Sequence, residues 1–340
     1  MYTRLIAPKE ENEITKYWKF TDKVYVSCVC ITFNQRQFIE QTIQGFLAQI
    51  TDYRFEIVVH DDASTDSTRE LLELYKSRYP GIIKLVLQDK NQHTLGKKIT
   101  PIAISKAKGD YIALCEGDDY WISENKIQSQ ISLLKPNKDI SLVHTKCYKE
   151  YFLNSTISES EVPKLKNDFE SLLIRNGIQT PTTMFRRTEY NEYQKIFGDT
   201  SQNWKFGDLP FWLYLSTVGK IILLEEKSTL YRVLDESASH SNDSKKIQTF
   251  IKTGLDIRIY MAKFYLNSIG TAKDIECGLR HLVKKHIYSV VETDYEIETE
   301  LLKYANLKTR FLAMLYIFLP TRKLSKFTLK LIYKLNWERF

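Results

Sequence analysis

The sequence predicts an α/β fold, a mostly parallel sheet with helices on both sides, followed by a helical C-terminal region. Three observations predict it. Short apolar runs alternate with segments of helical period through the first half of the chain. Clusters of Gly, Pro, Asp and Ser close the successive units. The apolar runs are continuous rather than alternating, the pattern of strands buried on both faces.

The elements follow in order. Residues 1–23 are a polar N-terminal extension. Val24 to Phe33, rich in Val, Ile and Cys, reads as a buried strand. Arg36 to Gln49 carries Phe38, Ile39, Ile43, Phe46 and Leu47 at helical spacing. Phe55 to His60 is a second strand. Asp61-Asp62-Ala63-Ser64-Thr65-Asp66 is turn chemistry with good N-caps. The helix after it runs to Tyr79 and stops at Pro80-Gly81. Ile82 to Leu87 is a third strand, Ile99 to Ala107 a helix, and Tyr111 to Cys115 a fourth strand after Gly109-Asp110.

Ligands of such sheets bind beyond the carboxyl ends of the strands. Asp61-Asp62 and Glu116-Gly117-Asp118-Asp119 each follow a strand directly, and right-handed crossovers bring both to one sheet edge. The chain has neither GxGxxG nor a P-loop, so the backbone cradles for phosphate are missing. Carboxylates that hold a divalent ion are the other way to neutralise a diphosphate. Mn²⁺ or Mg²⁺ suits them, as a hard ion that takes oxygen ligands and leaves positions for phosphate. Glu116, Asp118 and Asp119 crowd three carboxylates into four residues, which is costly without a cation.

Four motifs then carry a resemblance. They are Ile31-Thr32-Phe33-Asn34, Asp61-Asp62-Ala63-Ser64-Thr65-Asp66, Ala107-Lys108-Gly109-Asp110-Tyr111-Ile112-Ala113 and Glu116-Gly117-Asp118-Asp119-Tyr120-Trp121. In this order, from Val26 to about Cys147, they resemble the donor domain of glycosyltransferase family 2, with its GT-A, Rossmann-like fold. The family usually has Pro where this chain has Ile31, and often Tyr where it has Phe33.

The resemblance implies an inverting transfer of sugar from a nucleotide-sugar, most simply a UDP-sugar. It implies that Phe33 lies near the base, with Thr32 and Asn34 beside it. Asp62 would accept a hydrogen bond from uracil and Asp61 would support that loop. Asp118 would contact ribose, sugar or metal, and Asp119 would coordinate the metal. Glu116 would orient the donor sugar or a metal-bound water. Lys97 or Lys98 crosses over the donor and is a candidate for its phosphate.

The resemblance fades after residue 150, where residues 151–244 are expected to form the acceptor-binding part. An inverting transfer needs one carboxylate to take the acceptor's proton. Asp208, in Lys205-Phe206-Gly207-Asp208-Leu209-Pro210, heads a late helix and resembles the family's base; Asp199 is the alternative. Gln179 to Arg187 is similar to the strand that lies beneath the acceptor, and Pro181 argues for an edge or a strand start. Thr229 to Val233, with Ser237 to Ser244 after it, resembles a mobile segment that closes over the donor. Arg232 or His240 would meet the diphosphate there. His60, His93 and His144 have no ligand spacing.

The net charge of +7 is uneven. From Lys303 onward nine basic residues face one acid, Glu338, so that stretch holds +8 and residues 1–302 hold −1. This excludes a basic nucleic-acid-binding body. Residues 245–307 have a helical pattern. In residues 308–340, Lys323, Lys326, Lys330 and Lys334 share one helical face beside Leu324, Phe327, Leu331 and Leu335. That pattern suits a tail on an anionic membrane surface. Phe311 to Leu319 is too short an apolar run to span a bilayer, and Met1 to Phe20 has no signal-peptide core. The five cysteines, Cys28, Cys30, Cys115, Cys147 and Cys277, contain no CxxC and read as reduced and buried. The expected place is the cytoplasm, peripheral on the inner face of the cell membrane. The expected acceptor is a glycan or lipid-linked oligosaccharide of a surface polysaccharide, O-antigen or capsule. The competing readings are a nucleotidyltransferase and a non-catalytic, membrane-tethered glycan-binding protein.

Overall fold

The computed structural model describes residues 3–152, 154, 156–159, 168–234 and 244–265. The chain divides into two compact units, residues 1–168 with 177–234, and residues 169–176 with 235–340. In chain order a short helix α1 (Glu11–Thr15) precedes β1 (Val26–Thr32), α2 (Ile39–Leu47), β2 (Phe55–Asp61), α3 (Thr68–Arg78), β3 (Ile83–Leu87), α4 (Ile99–Ile104) and β4 (Tyr111–Leu114). Then come β5 (Tyr120–Trp121), α5 (Lys126–Leu134), β6 (Ile140–Tyr151), β7 (Thr156–Glu159), α6 (Phe169–Ile174), a 3-10 turn at Thr180–Thr182 and β8 (Met184–Arg186). They are followed by α7 (Arg187–Ser201), α8 (Asp208–Val218), β9 (Lys220–Val233) and α9 (Ser244–Tyr265).

The first unit holds one mixed sheet in the order β3-β2-β1-β4-β8-β6-β9-β5, with β7 on β6. The expected parallel block is β3-β2-β1-β4. Beyond it the sheet turns mixed: β8 is antiparallel to β4 and β6, β6 and β9 are parallel, and β5 is antiparallel to β9. Of the parallel strands β1, β2 and β4 are buried almost end to end, while β3, at the edge of the sheet, is half-buried beyond Ile83. Ile39, Ile43, Phe46 and Leu47 form one buried face of α2. Each such side chain contributes roughly 1.5–3 kcal/mol by leaving water. The four described cysteines are free and buried; Cys277 lies outside the described residues.

A hydrogen-bonded lock closes the amino edge of the parallel block. The Ser27 hydroxyl and the Lys108 N–H both donate to Glu56 Oε1, at 2.6 and 2.5 Å. The Gly109 N–H donates to Ser27 Oγ at 2.9 Å. Glycine is needed there because a Cβ would sit 2.5 Å from the Ser27 nitrogen and 2.7 Å from the Val26 carbonyl carbon.

Two expectations about the second half are corrected. Of the two readings of Pro181, the strand start comes nearer than the edge: β8 begins three residues after it and runs inside the sheet between β4 and β6. The proline sits in the preceding 3-10 turn, where a missing N–H costs nothing, and its carbonyl accepts from Trp121 Nε1 at 3.0 Å. Thr229–Val233 is not a separate closing segment but the end of β9. Thr229 pairs with Trp121 and Cys147, and Arg232 with Glu150.

In the second unit α6 and α9 meet through Phe169 and Tyr265, edge to face at 5.6 Å. Arg258 Nε donates to the Leu172 carbonyl at 3.3 Å. α9 carries the start of the helical pattern expected for 245–307. The rest of that region, His240 and the tail 308–340 lie outside the described residues. Among the described residues no helix is long and apolar enough to cross a membrane.

Candidate active site

The carboxyl edge of the parallel block gathers the residues singled out from the first half of the sequence. β1 ends at Thr32, whose buried hydroxyl donates to Gln35 Oε1 at 2.8 Å. Phe33, next in line, is 45% exposed. Asn34 is left-handed, with φ +50°, and staples the β1 loop to the β2 loop. Its N–H donates to Ser64 Oγ at 2.9 Å, and its Oδ1 accepts from the Thr65 N–H at 2.8 Å. Ala63 and Ser67, at φ +65° and +64°, are left-handed as well. Three such residues on one rim are the strain that loops at functional sites carry.

Asp61 and Asp62 are both buried and turn to different work. The Asp61 carboxylate accepts from Arg69 Nε at 3.1 Å and from the Ser64 N–H at 3.3 Å, which supports the turn. Asp62 reaches across to the loop between β3 and α4. Its Oδ1 accepts from the Gln92 N–H at 2.7 Å and its Oδ2 from the His93 N–H at 3.0 Å. Of the lysines of that loop, Lys97 is exposed and donates to Gln92 Oε1 at 2.8 Å. Lys98 is half-buried and donates to the Trp204 carbonyl.

The acidic loop after β4 explains its own sequence. Gly117 is required because a Cβ would lie 2.5 Å from Gln35 Oε1 and 2.7 Å from Thr32 Oγ1. The Thr42 hydroxyl, on α2, donates to the Asp119 carbonyl at 2.6 Å and holds the loop from beneath. Burial first, then the charge of Asp118 and, less, that of Asp208 push the Glu116 carboxyl up to about 8. Burial raises Asp118, and burial with the neighbouring Asp118 and Glu116 charges holds Asp119 well above the usual carboxylate range. Thr180 hydrogen-bonds Glu116, while Glu116 Oε2 is buried without a partner. Crowded carboxylates whose ionised forms are disfavoured, one oxygen of them orphaned, fit a hard divalent cation. Among the described residues no three His, Cys, Asp or Glu side chains form a complete metal cage. An ion held by this loop would therefore complete its shell with phosphate oxygens or water.

Arg232 differs from expectation. In place of a guanidinium open to a diphosphate, the side chain is 4% exposed and fully engaged. Nε donates to Glu150 Oε2 at 3.0 Å, Nη1 to the Asp118 carbonyl and Nη2 to Gln41 Oε1. The guanidinium lies 4.8 Å from the Phe38 ring centroid and 4.6 Å from that of Tyr120. Its backbone N–H donates to Asp119 Oδ1 at 2.7 Å. The strand pairing of β9 aims Arg232 inward, where it braces the acidic loop.

Asp208 is the first residue of α8, with Gly207 at the N-cap rather than Asp208 itself. It is half-exposed, and its charge reaches Glu116. Asp199 lies exposed on α7, away from any named contact with that loop. Sequence reasoning missed Gln35, Gln41, Thr180 and Lys126. The signal for Lys126 was a lysine on the apolar face of a helix beside Ile127 and Ile131. It is fully buried 4.3 Å above the Trp121 ring, with Nζ 2.7 Å from Gln130 Oε1. His60 and His144 are buried, and burial lowers both, His144 to about 4.

The fold and this edge define a GT-A-type α/β protein. Residues 27–194 match the Glycosyl transferase family 2 model, so the chain carries a family 2 glycosyltransferase domain. An uncharacterised protein of Mycobacterium tuberculosis is 32% identical over 215 residues, 61% of this chain; the match spans 58% of that relative's length. The UDP-Glc:alpha-D-GlcNAc-diphosphoundecaprenol beta-1,3-glucosyltransferase WfgD of Escherichia coli is 32% identical over 177 residues, 52% of this chain and 66% of the relative. Among solved structures, S. aureus TarS 1–349 in complex with UDP-GlcNAc superposes with a TM-score of 0.59 at 14% identity, over 89% of this chain and 88% of that one. At that identity the likeness speaks for the fold alone.

Proposed function

We propose that the chain is an inverting glycosyltransferase. It moves a sugar from a nucleotide-diphosphate sugar, a UDP-sugar, to a hydroxyl of a glycan or lipid-linked oligosaccharide, in the assembly of a bacterial surface polysaccharide such as O-antigen or capsule. One observation carries the reading: Asp208, from the second half of the chain, acts electrostatically on Glu116 of the acidic loop. In this reading a proton acceptor and a diphosphate-binding edge share one site. WfgD, which uses UDP-Glc and a diphosphoundecaprenol-linked acceptor by its name, supports the substrate class.

In this reading Phe33 offers its exposed ring to the base, and Thr32 and Asn34 shape the loop beside it. Asp62 keeps acceptor capacity on a carboxylate already bonded to two amides, and Asp61 holds its turn. Asp118 and Asp119 would hold Mn²⁺ or Mg²⁺, which neutralises the leaving diphosphate when bound. Glu116 orients the donor sugar. Lys97, exposed at the loop rim, would exchange its bond to Gln92 Oε1 for phosphate. Arg232 fixes Asp118 and Asp119 in place. Asp208 takes the proton of the attacking hydroxyl, on the face opposite the leaving group. The basic tail 308–340 attaches the enzyme to an anionic membrane surface.

The test is a panel of nucleotide-sugars incubated with the protein and Mn²⁺, with free nucleotide as the readout. One UDP-sugar is expected to release nucleotide, and an acceptor glycan to accelerate it. Release from none of the panel would leave a glycan-binding protein instead.

A further inference from the structure

We propose that Gln35 is a positioning residue of the metal site: its side-chain amide, oriented by the Thr32 hydroxyl, holds the Asp118 carboxylate in place for the divalent ion. The proposal rests on the function proposed above and adds to that site a residue from outside the acidic loop.

Three observations carry it. First, the half-buried Gln35 side chain bridges the end of β1 and the acidic loop. Its Oε1 accepts from Thr32 Oγ1 at 2.8 Å, and the amide hydrogen-bonds the Asp118 carboxylate. An amide has one acceptor end and one donor end. With the acceptor end engaged by the Thr32 hydroxyl, Nε2 is left to donate to Asp118. The reversed amide would set its oxygen against the carboxylate. Second, the bridge is closely packed. The Gly117 N–H donates to the Ile31 carbonyl at 3.0 Å, and a Cβ on Gly117 would lie 2.5 Å from Gln35 Oε1. The amide thus lies against the loop backbone. Third, the Gln35 backbone is anchored without its side chain. Its N–H donates to Thr68 Oγ1 at 3.1 Å, and its carbonyl accepts from the Phe38 and Ile39 N–H groups, both at 2.9 Å. Those bonds build the turn before α2 and leave the side chain for another task.

A neutral amide suits that task. An ionised carboxylate offers about four lone-pair sites. One bond from Gln35 orients it and leaves the others for the metal. A lysine or arginine would orient it as well, but its charge would oppose a divalent cation. The other two acids are held from other elements: Asp119 accepts from the Arg232 N–H at 2.7 Å, and Thr180 hydrogen-bonds Glu116. Gln35 brings in the loop that carries Phe33, so the loop proposed to meet the base also steadies a proposed metal ligand. Hydrogen-bond partners of ligating carboxylates set metal affinity.

The test is the Mn²⁺ affinity of the full-length protein, read from the electron paramagnetic resonance of free Mn²⁺ in saturating UDP. UDP affinity without metal is read beside it by calorimetry. Gln35→Met keeps the length of the side chain and removes both ends of the amide. It is expected to weaken Mn²⁺ by about 10–100-fold and to leave metal-free UDP affinity unchanged. Thr32→Val should weaken Mn²⁺ in the same direction. The double variant should be no weaker than Gln35→Met alone, because both changes break one arrangement. Unchanged Mn²⁺ affinity in Gln35→Met would overturn the proposal. So would an equal loss of metal-free UDP binding, which would make the side chain a builder of the loop, or fully additive losses in the double variant, which would separate Thr32 from Gln35. Failure of the unaltered protein to bind either UDP or Mn²⁺ would instead break the underlying functional reading.

Discussion

The two edges of the parallel block answer to different demands. At the amino edge Ser27, Glu56, Lys108 and Gly109 satisfy one another at 2.5–2.9 Å, and the backbone is packed so closely that one methyl group would not fit. At the carboxyl edge three non-glycine residues take left-handed backbone, three carboxyls are pushed towards protonation, and Glu116 Oε2 has no partner. Both edges belong to the same strands. The amino edge is optimised for staying folded, while the carboxyl edge carries a cost that a bound ligand would relieve. Substitutions should therefore separate stability from chemistry according to the edge they strike.

Asp119→Asn should show the largest effect on chemistry. Turnover is expected to fall by about a thousandfold or more, since several kcal/mol of charge stabilisation depend on this group. The metal-free melting temperature should hold or rise, because a buried like-charged carboxyl has been removed. A variant that loses both would erase the distinction between the edges. Asp208→Asn should lower kcat by about 10²–10⁴-fold with donor affinity nearly unchanged, since a base acts only in the transition state. Steady-state kinetics against donor and acceptor check this, and an unchanged kcat would move the base elsewhere.

Gly109→Ala should do the reverse. Overpacking against the Ser27 backbone is expected to cost about 1–3 kcal/mol, read as a lower urea midpoint, with nucleotide release per folded molecule preserved. A pH-dependent effect belongs to Lys126, which lies against Trp121 and faces Cys28, Cys115 and Glu226. Burial lowers its ammonium from 10.5 to about 7. Between those values the unfolded chain holds a proton that the folded chain has released, so this residue makes stability rise with pH from 7 towards 10. Below pH 7 both states are charged and its contribution is level. Lys126→Met should make the rise in urea midpoint over that window shallower; identical slopes would mean that the lysine stays charged in the fold.

The legibility of the sequence divided along the sheet. β1, β2, β3 and β4 could be read within two or three residues because each is short, mostly apolar and closed by its own turn motif. Their order also placed the Asp61-Asp62 and Glu116–Asp119 clusters on one edge, since the right-handed crossover leaves little choice. β6 and β9 escaped in part. They run 12 and 14 residues, pair with each other through register shifts, and are each buried over one part and half-exposed over another, so no local signal says which strand they join. Pro181 left an edge and a strand start open for that reason: its missing N–H argues for an edge only if it lies in the strand, and it lies in the turn before it. Arg232 misled because a basic residue near a phosphate site reads as a phosphate ligand. Its true surroundings come from Gln41, Asp118 and Glu150, which no spacing brings together.

The brace that Arg232 makes also sets a timetable. Its contacts reach back 113 residues to Asp119, 114 to Asp118 and 191 to Gln41. Contacts between such distant parts of a chain form late, after the loops between them have closed. On the ribosome the parallel block emerges whole well before β9 does, so a nascent chain holds its nucleotide-facing loops long before its acidic loop is fastened. In the proposed reading, a chain that stopped after the parallel block but before residue 232 would keep the loops after β1 and β2 and lack the brace of the acidic loop.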